Sequence, residues 1–420
     1  MTTSPPSVSL WRNGQFLRLW TGETASAVGS QLGGLALPFL AVSVLAASEF
    51  EVGLLGAVGT AAFLLIGLPA GAWVDRWLKR RVMLYSDLAR ALALATIPLA
   101  SLFGTLTIWH LLVVAAVVGV ATVFFDVSYQ SYIPVLVEPE RISEANSKLE
   151  TTQQLARVGG PAASGILLAI VRAPVLVAID AFTYLLSFIV LSTIRDTEVV
   201  APKADRKPLV EEIREGAAFV MREPLLRLIV LCTSVSNLFG TLAMTMLPVL
   251  VLRELGLSPA AWGVAASVGA VGGLVGAMFS ARIARFVGEG TVIPLAAIGS
   301  GLGIVLMALM TAFPDAAIPL LMAAEFVFSF TVLVYNIAQV SYRQRICPPK
   351  LLGRMNASIR FVVWGVLPIA GLASGAVSTV IGVVPTIWIG AIGALAASGF
   401  VVFSPLLGMR ELPKQATERI

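Results

Sequence analysis

Twelve apolar stretches recur along this 420-residue chain. Each is long enough to cross a bilayer as a helix, which takes roughly 20 mostly apolar residues. They fall at about 17–46, 52–73, 82–104, 109–131, 152–171, 174–194, 225–251, 261–283, 290–312, 317–340, 359–382 and 385–407. The runs are continuous rather than alternating, so helices are expected and a β-barrel is not. Hydrophobic residues make up 57% of the chain and charged residues 13%, where soluble chains carry about 25% charged. A soluble fold could not hide that much apolar surface.

The charges orient the spans. Laid out as alternating crossings, the loops place only Arg172 and Arg253, of 29 Lys and Arg, on one side. Basic residues collect on the cytoplasmic side of membrane proteins. The reading is an even number of crossings with both termini cytoplasmic, in the plasma membrane. The net charge of +5 belongs to this bias, and no nucleic-acid partner is expected. Cys232 in a span and Cys347 in a cytoplasmic loop are not expected to pair. Residues Met1 to Leu10 lack a signal-peptide pattern, so the first span is expected to act as its own insertion signal.

One long polar stretch divides the spans six and six. The expected organisation is a six-helix bundle over 1–195, a cytoplasmic linker over 196–224, and a second bundle with a short tail over 225–420. Within the linker, Leu209, Ile213, Ala217 and Val220 share one helical face, with Glu211, Glu212, Arg214 and Glu215 largely on another. That pattern predicts an amphipathic helix lying on the inner leaflet or on the bundle. A constant shift of 210 pairs Ser26 with Ser236, Pro38 with Pro248, Gly53 with Gly263, Gly59 with Gly269, Tyr132 with Tyr342, Pro139 with Pro349, Asn146 with Asn356 and Gly165 with Gly375. Two matched halves suggest a transporter with its site between them.

Two motifs narrow the class. After span 2, Gly71, Asp75, Arg76, Lys79 and Arg80 stand in "GAWVDRWLKRR". Gly71 admits a neighbouring helix, Asp75 suits a helix N-terminus, and the cations suit carboxylates or headgroups. The run resembles the cytoplasmic gate signature of the major facilitator superfamily, with Leu78 in place of its second glycine. The corresponding place after span 8, Gly276 to Arg285, lacks the acid. In span 5, Gly159, Gly160, Pro161 and Gly165 allow a bend and close packing, and resemble the glycine–proline motif of superfamily antiporters. The segments "AIDAFTYLLSFIVLSTIR", "SYRQRICPPKLLGRMNASIRFVVWG" and "EEIREGAAFVMREPLLRLI" resemble the drug:proton antiporter branch with macrolide-efflux-type and enterobactin-exporter-type proteins. The resemblance implies an all-α membrane protein of twelve transmembrane helices in two pseudo-symmetric six-helix bundles.

Acids inside spans cost about 2.5–3.5 kcal/mol each at a helix centre on insertion scales, so each asks for a reason. Glu325 falls near the middle of span 10, Glu23 and Asp126 in the inner thirds of spans 1 and 4, and Asp180 in the outer half of span 6. In the superfamily, spans 1, 4, 7 and 10 line the central cavity, which makes Glu325, Glu23 and Asp126 the proton-coupling candidates. The alternative is structural pairing of the acids, Asp180 included, with Arg90, Arg157 or Arg360. Gln31, Asn237, Asn336 and Tyr335 are candidates for substrate contact, and Phe124, Phe125, Phe328 and Trp364 for an aromatic lining. His110, at an outer helix end, reads as interfacial.

The resemblance implies proton-coupled efflux of amphipathic drug-like or secondary-metabolite molecules by alternating access. The expected partners are a small-molecule substrate, protons and the lipid bilayer, with the chain a monomer and with no cofactor or metal. A nutrient importer or uniporter on the same fold stays open, as does a non-transporting receptor. A membrane enzyme finds no support in H-E-x-x-H, G-x-S-x-G or P-loop motifs, which are absent.

Overall fold

A backbone surrounded by lipid must satisfy its own N–H and C=O groups, and a chain this apolar does so by winding into helices. The computed structural model describes residues 10–74, 76–138, 141–195, 209–348 and 351–413, and among these there is no strand. The first half comprises α1 (Gly14–Phe39), α2 (Glu49–Leu65), α3 (Gly67–Val74), α4 (Lys79–Leu102), α5 (Ile108–Leu136), α6 (Ile142–Ile170) and α7 (Ala173–Ser192). After α8 (Leu209–Arg222), the second half comprises α9 (Pro224–Val249), α10 (Pro259–Val287), α11 (Val292–Leu309), α12 (Ala317–Ile346), α13 (Leu352–Ile381), α14 (Val383–Ala397) and α15 (Gly399–Val402). Taking α2 with α3 and α14 with α15, these are twelve spans in two bundles.

The 210-residue shift holds in three dimensions. It carries α1 onto α9 residue for residue at both ends. In each, a proline (Pro38, Pro248) precedes a five-residue π-helical turn, Leu40–Val44 and Leu250–Glu254. Each turn leads to a left-handed residue, Ala46 and Gly256, and each next helix is capped by a serine, Ser48 and Ser258. The repeat breaks at Pro69. Its ring excludes the carbonyl four residues back, at Leu65, which is where α2 ends. Phe279 stands at the corresponding place, and α10 runs on unbroken.

Several helices overrun their hydropathy limits. Span 5, expected over 152–171, begins at Ile142, and span 11, expected from 359, begins at Leu352. Spans 4 and 10, expected to end at 131 and 340, continue to Leu136 and Ile346. All these extensions lie at the end rich in Arg and Lys, here called the basic end, where helices project into water. The linker helix α8 packs on the bundle rather than lying free. Its Gly216 sits under the Arg354 backbone, Glu215 pairs with Arg354, and Val220 is buried.

The halves meet along two seams, α2 against α13 and α6 against α10. Lipid supplies no hydrophobic drive for helices to associate, so small residues that let backbones touch carry the contact. A Cβ on Gly53 would lie 2.6 Å from Cα of Gly375, and one on Gly263 would lie 2.8 Å from Cα of Gly165. These contacts are the same contact under the 210 shift. A Cβ on Gly375 would also come within 3.1 Å of the Glu49 carbonyl, and one on Gly165 still closer to that of Pro259, again equivalent positions. Both seams are tightest at the far end, opposite the basic end. There Arg253 donates to the carbonyl of Ala47 at 2.6 Å and reaches Glu49 at 3.3 Å, strapping the second half to the first.

Gly53→Val and Gly263→Val are each expected to strain this closure by about 1–3 kcal/mol through overpacking, and Arg253→Gln to loosen it more weakly. Spin labels at Thr105 and Phe313, in far-end loops of the two halves, should report an added population of longer distances. Distance distributions unchanged in both glycine variants would contradict the seam as the closing element.

Candidate transport cavity

Between the seams and the basic end lies a cavity of about 1130 Å³. Glu23 from α1, Asp126 and Tyr129 from α5, and Gln153, Gln154 and Arg157 from α6 line it, with Leu274 of α10 closing one wall. Glu23 and Asp126, expected as coupling acids, thus share one chamber, together with Arg157. Glu23 is 6% exposed. Its Oε1 has no hydrogen-bond partner among the described residues, and Gln153 reaches its Oε2 only at 3.5 Å.

Behind the cavity wall is the chemical centre of the first half. Arg90 of α4 is 4% exposed and Asp87, one turn earlier, is fully buried. The Arg90 guanidinium donates to Asp87 Oδ1 at 2.5 Å and lies between the rings of Phe125 and Tyr184, 4.2 Å from each centroid. Aromatic faces suit a poorly hydrated guanidinium. Asp180 of α7 shares this field. Its carboxylate fits because Gly29 and Gly33 of α1 carry no Cβ; one at Gly33 would collide with Oδ2. Asp126 lies within the fields of Arg90 and Arg360. One guanidinium therefore serves Asp87, Asp180 and Glu23, and their full ionisation would leave two uncompensated negative charges in a buried site.

The remaining expected residues are dispersed. Glu325 does not line this cavity; it packs on α10, where a Cβ at Gly269 would come within 2.9 Å of Oε2. Gln31 sits against Gly160 at the α1–α6 contact. Pro161 and Gly165 form the seam with Gly263, and the Ala162 amide donates across it to Ser267 Oγ at 2.8 Å. Gly159 has open space beside it. Arg80 binds the carbonyls of Leu191 and Ser192 at the end of α7, and Arg360 is exposed over Trp364. Gly71 lies in α3, Lys79 begins α4, Arg76 is exposed, and Asp75 falls outside the described residues. Phe124 turns away from the cavity to stack near Trp73.

Tyr335, Asn237 and Asn336 do come together, in a separate 180 Å³ cavity of the second half with Thr233, Ala297 and Ser300. Tyr335 shares a hydrogen bond with Thr233 at 2.8 Å, and Asn237 donates to the Val363 carbonyl at 2.9 Å. Under the 210 shift, Thr233 replaces Glu23, Ala297 replaces Asp87, Ser300 replaces Arg90 and Asn336 replaces Asp126. The space that charges fill in one half is a small, mostly apolar cavity with a few neutral polar groups in the other.

Asp87 is the residue that sequence reasoning missed. The signal was available: an arginine inside a span needs a counter-charge, and Asp87 is three residues before Arg90, on the same helix face. Asp87→Ala is expected to lower unfolding stability by about 3–5 kcal/mol by stranding a buried charge, while Asp87→Leu with Arg90→Met recovers most of it. Thermal unfolding in detergent checks both. Equal losses in the single and double variants would contradict the pair.

Two six-helix repeats held together at one end, with a cavity lined mainly by the first repeat toward the other, have the architecture of a transporter of the major facilitator type. The chain belongs to the transmembrane secretion effector family, whose pattern matches residues 6–419. It is 24% identical to the multidrug efflux pump Tap of Mycolicibacterium fortuitum over 96% of this chain and 98% of that protein. It is 21% identical to macrolide efflux protein A of Streptococcus pyogenes, over 50% of this chain and only 51% of that protein. A bacterial homologue of the iron transporter ferroportin in an inward-facing state shares the fold, with a TM-score of 0.75 at 15% identity over 94% of this chain and 99% of that one. The nucleoside transporter NupG (D323A mutant) matches equally well, with a TM-score of 0.75 at 11% identity over 93% and 99%.

Proposed function

We propose that the protein exports amphipathic small molecules in exchange for protons, by alternating access between two bodies, 1–195 and 225–420. The observation that carries this reading is the shared chamber of Glu23 and Asp126, set against a core in which the carboxylates of Glu23, Asp87 and Asp180 outnumber the Arg90 guanidinium, the one buried guanidinium among the described residues. The basic end is taken as cytoplasmic, which makes the arrangement inward-open. The named efflux relatives support the direction and the substrate class.

In this reading, protons neutralise the excess carboxylates when the chamber faces the proton-rich side. On the cytoplasmic side, a substrate displaces them. Each proton moved inward releases about 2.3 kcal/mol per 100 mV of membrane potential, and rocking about the seams carries the substrate out. Glu23 and Asp126 exchange the proton, and Arg90 with Asp87 and Asp180 sets the charge of the wall behind them. Glu325 of α12, partly buried against Gly269 of α10, is a further intramembrane acid outside that exchange.

Substrate-dependent proton release in inverted vesicles tests the reading, with a panel of amphipathic antibiotics as probes. Glu23→Gln and Asp126→Asn are each expected to cut it at least tenfold, on the scale of a lost charge–proton linkage of about 1.4 kcal/mol or more, and Glu325→Gln to leave it largely intact. Normal exchange in both cavity variants would remove the coupling assignment. Uptake with no pH dependence at all would point to a uniporter.

A further inference from the structure

A second concavity, of about 900 Å³, opens on the membrane face between the start of α4 and the middle of α5. This is within the size range of small-molecule sites. Its walls are apolar, built from residues such as Val82, Ala89, Val117, Val120 and Phe124. Two arginines, Arg76 and Arg81, stand at its basic end, both exposed and neither with a hydrogen bond or ion pair among the described residues. Trp77 and Tyr85 flank them, 47% and 69% exposed, as aromatic residues do at headgroup level.

Three observations say what fits there. The first is length. From Lys79 to Ala89 a helix rises about 15 Å, half of a hydrocarbon core of about 30 Å, so the groove spans one leaflet from headgroup to midplane. The second is charge. Two unpaired guanidinium forks at the polar end match a phosphate, which arginine holds in bidentate fashion. The third is that the groove is not a general product of the fold. Under the 210 shift, Phe326 stands for Ala116 and Phe330 for Val120, two mutually stacked rings where the groove has small side chains. Phe286 stands for Arg76 and Thr291 for Arg81, so those two positions carry no cation in the second half.

We propose that this groove binds one anionic phospholipid of the basic-end leaflet, with its phosphate on Arg76 and Arg81 and an acyl chain lying along α4 and α5. The site is separate from the transport cavity, so the proposal stands whether or not proton exchange does.

The test is native mass spectrometry of the delipidated full chain, titrated with phosphatidylglycerol or with phosphatidylcholine of the same acyl chains. One phosphatidylglycerol is expected to be retained in preference to phosphatidylcholine. Arg76→Gln with Arg81→Gln should lower its affinity about tenfold or more. Ala89→Trp, which fills the groove and keeps both arginines, should also displace it. Arg282→Gln with Arg285→Gln, at the same end of the second half, should leave it bound, and an unchanged elution profile confirms that each variant is folded. Equal retention of the two lipids would overturn the proposal. So would an equal loss in both arginine pairs, or retention in both the Arg76/Arg81 and Ala89 variants.

Discussion

Everything in this molecule depends on how closely two helix backbones can approach in a solvent that does not push them together. Lipid solvates leucine as well as a neighbouring helix does, so contact comes from surfaces small enough to interlock. Gly53 on Gly375 and Gly263 on Gly165 provide it twice, related by the repeat. Because both contacts lie toward one end, the halves close there and leave room for a chamber at the other.

The second constraint is electrostatic and belongs to one half only. Arg90 is buried, held by Asp87 and by two aromatic faces, and this fixes the packing of α4, α5 and α7 about a charged centre. The second half keeps the backbone of this arrangement and discards its charges, leaving the small cavity with Thr233, Ser300 and Asn336. At these equivalent positions one copy carries charged side chains and the other carries neutral ones.

Much of this was legible in the sequence. The spans, their division six and six, the 210-residue repeat and the glycines of the seams all appear as patterns of residue type, because the bilayer imposes length and apolarity directly. The overruns at Ile142 and Leu352 were not legible, because hydropathy ends where lipid ends while the helix continues into water. Pro69 was visible, but its effect on α2 depends on the carbonyl of Leu65, four residues back. Glu325 shows the sharper limit. Its depth was readable, but its direction was not: rotation about the α12 axis is set by contact with Gly269 of α10, a residue 56 positions away.

By itself the sequence determined a twelve-span membrane protein, duplicated, with a charge bias between its two ends and with a few acids too costly to be incidental. Those properties follow from composition and order along one chain, on which hydrocarbon acts residue by residue. Only the tertiary structure decided which acids meet. It brought Glu23 and Asp126 into one chamber, set Asp87 and Asp180 around Arg90, and turned Glu325 elsewhere, because the neighbours of a side chain are chosen by helix rotation and helix-to-helix packing, which no single stretch of sequence contains.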